Sequence, residues 1–193
     1  FIGLATGVNV LAARFYGSKS DEDLSKTVHT SILLSVIGGV FLTFIGLFGA
    51  VGMLKLMSTP EEIIDLAALY LRIYFLGMPA VTIYNFGSAI LRSVGDTKRP
   101  LYYLATAGVL NVILNIIFVA FFNLDVAGVA LATIITQTLS AFLVVRCLMK
   151  ESGAIKLELK KLRIDKNKLL QIIRIGLPSG LQGTLFSLSN VVI

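Results

Sequence analysis

The sequence predicts an all-α fold, a polytopic helical membrane protein, and three observations carry that reading. Hydrophobic residues make up 56% of the 193 and charged residues only 15%, with mean hydropathy +0.87; a soluble domain carries roughly 25% charged residues. Uncharged runs span Val28–Leu54, Ile73–Leu91, Leu101–Leu124 and Val126–Val145, of 27, 19, 24 and 20 residues. At 1.5 Å per residue, each is long enough to cross a hydrocarbon core about 30 Å thick. The runs also lack the polar–apolar alternation, over about ten residues, of a membrane-barrel strand.

Taken in order, six helices are expected. The first covers 1 to about 16. It carries no basic leader and no small-residue cleavage site, so a signal peptide is a poor reading. This run and the last, Ile175–Ile193, meet the chain ends without a polar flank. Both are therefore expected to continue beyond the chain, in a protein with more than six membrane helices. The second helix is expected over about 27–55 and the third over about 61–91. Thr59-Pro60-Glu61-Glu62 supplies the third helix's start signal, with Thr59 or Ser58 as cap, proline at the first position and acids in the first turn. Gly77-Met78-Pro79 interrupts it, and Pro79 frees the carbonyl of Phe75 from its intrahelical bond. The kink there reads as a hinge or as simple packing.

Val94-Gly95-Asp96-Thr97 with Pro100 ends the third helix and starts the fourth, 100–123. Asn123-Leu124-Asp125 is a short hairpin, which makes the fourth helix and the fifth, 126–148, antiparallel neighbours. In residues 151–168, Ile155, Leu157, Leu159, Leu162 and Ile164 are interspersed with lysines and arginines. That pattern reads as an interfacial amphipathic connector on anionic lipid, or as a plain basic loop. The sixth helix is expected from about 167 to 193.

Basic residues fix the orientation. Of 17, three fall between the first and second helices, three between the third and fourth, and nine around the fifth–sixth connection. The opposite side holds only Lys55, and Arg72 lies within the third helix. Those three basic connections are expected in the cytoplasm. The net charge of +6 is thus topological information, and nucleic acid is not an expected partner. Cys147 and His29 are single, so a disulfide, a metal site and a zinc-protease motif are all unsupported, and an enzyme is not expected.

Polar residues inside the apolar runs are the candidate sites. Asn111 and Asn115 share a face of the fourth helix, one turn apart, and Thr133 and Gln137 are spaced likewise on the fifth. Facing one another near mid-membrane, they can coordinate a monovalent cation, bind a substrate amine, or serve as interhelical glue. Tyr70, Tyr74, Met78, Tyr84 and Asn85 suit a wall for flat organic cations, or core and interface anchors. Arg72 either snorkels outward or pairs with an acid outside the chain. Arg14, Arg92 and Asp96 sit at helix ends and read as structural.

The chain resembles the multidrug and toxic compound extrusion (MATE) exporters, from the second to the seventh of the family's twelve membrane helices. The likeness rests on Ala13-Arg14-x-x-Gly17, on Leu91-Arg92-Ser93-Val94-Gly95-Asp96 with Pro100, and on Asn111-x-x-x-Asn115. Gly128-Val129-Ala130-Leu131-Ala132-Thr133 with Gln137, and Gly176-Leu177-Pro178, complete it. The Leu-Arg-x-x-Gly-Asp-x-x-x-Pro string is the most specific.

The resemblance implies a two-lobe secondary transporter, with most of the N-terminal six-helix lobe in residues 1–150. Residues 151–168 would join the lobes on the cytoplasmic side, and 169–193 would open the C-terminal lobe. It further implies an antiporter, monomeric at full length, in a bacterial plasma membrane. Its partners would be membrane lipid and the organic cations or drugs it exports, with Na⁺ or H⁺ as coupling ion and no cofactor. A lipid-linked oligosaccharide flippase of the same architecture, or a non-transporting membrane scaffold, is the alternative. In one branch of the family an Asn and, a turn later, an Asp hold the coupling cation with a Thr of the next helix. Asn111 and Thr133 match, but Asn115 replaces the Asp. That departure disfavours direct proton coupling at this site, whereas a neutral cage at Asn111, Asn115 and Thr133 suits Na⁺. The hinge at Pro79 would then serve the exchange between inward and outward states.

Overall fold

The computed structural model describes residues 2–57 and 59–192, and no described residue is in a strand. The helices are α1 (Ile2–Gly17), α2 (Asp21–Leu56), α3 (Glu61–Leu76), α4 (Met78–Ser93), α5 (Lys98–Ile116), α6 (Asp125–Lys150) and α7 (Lys166–Val192). Among the described residues, three stretches are long and apolar enough to cross a membrane: Asp21–Leu56, Lys98–Phe121 and Asp125–Lys150. The pair α3–α4 makes a fourth if it is one span, bent by 45° at Gly77.

The expected third helix is therefore two helices, with the break where Gly77 and Pro79 predict it. Thr59 is not the residue that immediately precedes α3. Pro60 occupies the position before α3 and makes no side-chain cap bond, while Ser58 lies outside the described residues. The second helix starts six residues earlier than expected. Its first turn holds Asp21, Glu22 and Asp23, which the positive end of the helix dipole favours, and Lys26 pairs with Glu22 one turn back at 2.6 Å. Charge ended the uncharged run without ending the helix.

At its far end α5 widens into a π-helical turn, Ile117–Phe121. Asn123 and Asp125 then reverse the chain with φ of 49° and 42°. The connector holds two single 3₁₀ turns, 153–155 and 159–161, and no amphipathic helix. Its Ile155 and Leu157 are buried, and the Leu157 amide donates to the Leu148 carbonyl at 2.9 Å. Two of the apolar residues that a lipid-lying connector would turn to lipid are thus covered by protein, because pairing with the end of α6 satisfies the backbone there.

The residues divide into two compact units. The first comprises Phe1–Ser35, Asn85–Pro100 and Val144–Ile193. Leu11, Leu24, Phe86, Ile90, Leu91, Leu148, Leu157 and Ile172 are its large, fully buried side chains. In it, α1 and α7 meet along Gly3, Gly7 and Gly176, where a Cβ on any of the three would run into the opposing backbone. Lys168 at the head of α7 is 7% exposed; its ammonium lies 2.7 Å from Asp23 and 4.0 Å over the Phe15 ring.

The second unit comprises Val36–Tyr84 and Leu101–Leu143. Gly39, Thr43 and Gly46 form an i, i+4, i+7 stripe on α2 that meets the α3–α4 break. A Cβ on Gly39 would overlap Pro79, and one on Gly46 would overlap the Phe75 ring. Phe41, Phe48, Val109 and Phe121 are exposed, as apolar side chains facing lipid tails should be.

Candidate functional site

In the second unit the polar residues of α5 and α6 form one short chain. Asn111 donates through Nδ2 to Thr136 Oγ1 at 3.3 Å, and Asn115 donates through Nδ2 to Asn111 Oδ1 at 3.0 Å. The Asn115 Oδ1 is buried with no hydrogen-bond partner. A buried carbonyl oxygen left this way costs about 1–3 kcal/mol, so the arrangement persists against a penalty that a bound donor or cation would relieve. Immediately beyond, the backbone takes the π-helical turn of 117–121, a distortion found frequently at functional sites.

Of the four predicted residues, Asn111 and Asn115 are joined. Thr133 turns its hydroxyl to the Val129 carbonyl of its own helix at 3.0 Å, and Gln137 is half-buried one residue past Thr136. Sequence reasoning passed over Thr136, which is 3% exposed and takes the contact with Asn111. The signal was present: Thr136 is one turn from Thr133 and Ala132 along the small-residue face of α6. Its hydroxyl also lies 2.9 Å from the Ala132 carbonyl. Among the described residues no three His, Cys, Asp or Glu side chains group to hold a metal, so a cation here would rest on neutral oxygens.

The aromatic candidates separate. Tyr70 and Tyr74 stack with centroids 6.1 Å apart, and Tyr74 meets Phe75 edge-on at 6.4 Å. Met78 is half-buried. Tyr84 is 9% exposed, within the packed core, which leaves little of its face to offer a ligand. Asn85 lines a cleft of about 350 Å³ in the first unit with Thr6, Asn9 and Arg92. There the Asn9 side chain donates to the Ala89 carbonyl at 2.9 Å. Arg72 is exposed.

At the α4–α5 corner, Gly95 has φ of 89°, and Asp96 accepts from the Arg99 amide at 3.2 Å. The Arg99 side chain pairs with Asp96 and with Glu151. Gly95 supplies the left-handed turn, and Asp96 caps α5.

Apolar spans, a helix broken at a proline and a polar cluster inside apolar packing define a polytopic helical membrane protein. The chain belongs to the MatE family, whose profile matches residues 1–117. It is 33% identical over 200 residues to the probable multidrug resistance protein YoeA of Bacillus subtilis, across 100% of this chain and 43% of that protein. It is 25% identical over 187 residues to the multidrug export protein MepA of Staphylococcus saprophyticus, across 97% and 42%. A crystal structure of MATE in the bent conformation superposes with a TM-score of 0.92 at 27% identity, covering 98% of this chain and 43% of that one. The chain thus spans less than half the length of these relatives, and like them it is a multi-pass plasma-membrane protein.

Proposed function

We propose that the protein is a secondary-active antiporter that exports organic cations or drugs in exchange for Na⁺ or H⁺ entry. On this reading residues 1–150 form the N-terminal lobe with the walls of the translocation path. Residues 151–168 join the lobes in the cytoplasm, and 169–193 open the second lobe. The observation that carries the proposal is the buried, unpartnered Asn115 oxygen beside Asn111 and Thr136. An amide oxygen in apolar surroundings attracts a hard monovalent cation, and an amide cannot titrate as a carboxyl does, so Na⁺ is the better fit at this position. The Tyr70–Tyr74 stack offers π-faces to a flat cationic substrate. Family membership and the names of YoeA and MepA support export of drugs.

The test uses the full-length protein in proteoliposomes, with ethidium efflux followed under an imposed Na⁺ or H⁺ gradient. Asn111→Ala should lower gradient-driven efflux about ten-fold, the effect of roughly 1.4 kcal/mol, with membrane insertion intact. Wild-type efflux and cation dependence in the Asn111→Ala/Asn115→Ala variant would reduce the pair to interhelical glue.

A further inference from the structure

We propose that a cleft formed by α2, the connector and the start of α7 binds a phosphoryl group, presented by an anionic lipid headgroup or by a soluble phosphorylated compound. The cleft has a volume of about 520 Å³, and Lys26, Lys161, Arg163 and Lys166 line it. All belong to the first unit.

Three features make the cleft an anion site. Its charge is unbalanced: four cations face one carboxylate, Asp165. That carboxylate is already engaged, because Asp165 Oδ1 accepts from the amides of Asn167 at 2.9 Å and Lys168 at 3.0 Å. Lys26 and Lys161 have exposed partners in Glu22 and Glu158, whereas among the described residues Arg163 and Lys166 make no ion pair. The unengaged pair combines a planar guanidinium fork, which matches two phosphoryl oxygens, with an ammonium that adds charge.

The walls are also held in place. His29, 4% exposed, has Nδ1 2.7 Å from the Ser25 carbonyl and accepts the Glu158 amide on Nε2 at 3.1 Å. This ties the connector to α2. Thr30 Oγ1 accepts the Asp165 amide at 3.0 Å and lies 3.4 Å from the Arg163 carbonyl. The backbone on both sides of Arg163 is therefore fixed to α2 before any ligand arrives, which limits the ordering cost of binding.

The third feature is depth. Lys26 lies two residues before the uncharged run that begins at Val28, so this wall stands where an apolar span enters the headgroup region. Basic side chains at that depth meet lipid phosphates and cytosolic anions alike.

The full-length transporter in nanodiscs provides the test, read by amide hydrogen exchange over residues 158–166. Three conditions are compared: phosphatidylcholine alone, phosphatidylcholine mixed with phosphatidylglycerol, and phosphatidylcholine with added inorganic pyrophosphate. Exchange should slow about five-fold in at least one of the two phosphoryl-bearing additions, the low end of coupling between linked sites. Slowing with phosphatidylglycerol alone assigns the lipid, with pyrophosphate alone the soluble compound, and with both a shared phosphoryl site. The Arg163→Gln/Lys166→Gln variant, and the milder Lys166→Gln, should lose the effect. Lys98→Gln/Lys150→Gln, which removes equal charge elsewhere, should keep it. No slowing in the wild type under either addition overturns the proposal. So does slowing that survives Arg163→Gln/Lys166→Gln, or that disappears equally in the Lys98→Gln/Lys150→Gln control.

Discussion

The Thr43 hydroxyl lies 2.8 Å from the carbonyl oxygen of Phe75, the acceptor that Pro79, four residues on, leaves without its helical N–H. A proline within an apolar span creates a polar debt, and lipid cannot settle it. Here α2 supplies the donor across the break. Gly39 and Gly46 flank Thr43 on the same face, and they admit the Pro79 backbone and the Phe75 ring where any side chain would collide. The bend of 45° between α3 and α4 is thus held by a matched stripe on its neighbour.

That pairing yields a double-mutant test. Thr43→Val should destabilise the full-length protein by about 1 kcal/mol, the usual worth of one hydrogen bond, while Thr43→Ser should be close to neutral. In a Pro79→Ala background the residue at 79 regains an N–H for the Phe75 carbonyl, so Thr43→Val should then cost much less. Thermal unfolding of the four proteins gives the coupling energy. Equal costs of Thr43→Val in both backgrounds would show that the hydroxyl does not serve the broken turn.

The α1–α7 seam predicts a graded glycine series. A Cβ on Gly7 would lie 2.6 Å from the Ile172 carbonyl oxygen, and one on Gly176 would lie 2.7 Å from the Leu4 Cα. Neither neighbour is a flexible side chain, so Gly7→Ala and Gly176→Ala should each cost about 1–3 kcal/mol. At Gly180 the nearest atom is Gly3 Cα at 3.7 Å, an ordinary contact. Gly180→Ala should therefore be neutral or stabilising by up to about 1 kcal/mol through helix propensity. Melting temperatures that fall alike for all three would mean that helix approach does not set the ranking.

Much of this architecture was legible in the sequence because its determinants are local. Uncharged length marks the spans, Pro79 marks the break, and Gly95-Asp96 marks the corner where Asp96 caps α5. What stayed hidden depends on partners distant in sequence. Thr43 gives no local sign that it will serve Phe75, and Thr136 looks like any hydroxyl on a small-residue face until Asn111 is placed opposite. Ile155 and Leu157, which are buried, fit a lipid-lying connector or a plain basic loop equally well in the sequence, because composition cannot say which surface an apolar residue covers. The start of α2 was missed for another reason. Acids in a first turn interrupt hydropathy while strengthening the helix.

Acid should loosen the start of α7 through Asp165. Amide donors from Lys168 and then Asn167 hold its carboxyl below the ordinary value of 3.8, and the nearby Lys26 and Lys168 charges add to this. A carboxyl with a depressed folded-state pKa contributes stability that is fully present above its unfolded value and is lost as pH falls through the folded one. The contribution of Asp165 should therefore be present above its ordinary value of 3.8 and be lost as pH falls from there through the lower, folded-state value. A carbon-13 titration of the Asp165 carboxyl in the full-length protein should give a midpoint lower than in a peptide of residues 160–170. Coincident midpoints would remove the cap from the account.

Side-specific labelling tests the orientation drawn from the basic residues. With Cys147 replaced by Ala, single cysteines at Lys19, Thr97 and Lys160 should react with an impermeant maleimide only from the cytoplasm, and one at Leu124 only from outside. All four positions are exposed, so access to reagent, not burial, decides the outcome. Between Thr97 and Leu124 runs the stretch Lys98–Phe121, whose 24 residues reach about 36 Å as a helix, more than the hydrocarbon core requires. The 97-side connection carries Arg92, Lys98 and Arg99, whereas the turn at 124 carries Asp125 and no base. Translocating three cations is the costlier choice, so the basic end should stay in the cytoplasm. Labelling of positions 97 and 124 from the same side would refute the span and with it the orientation.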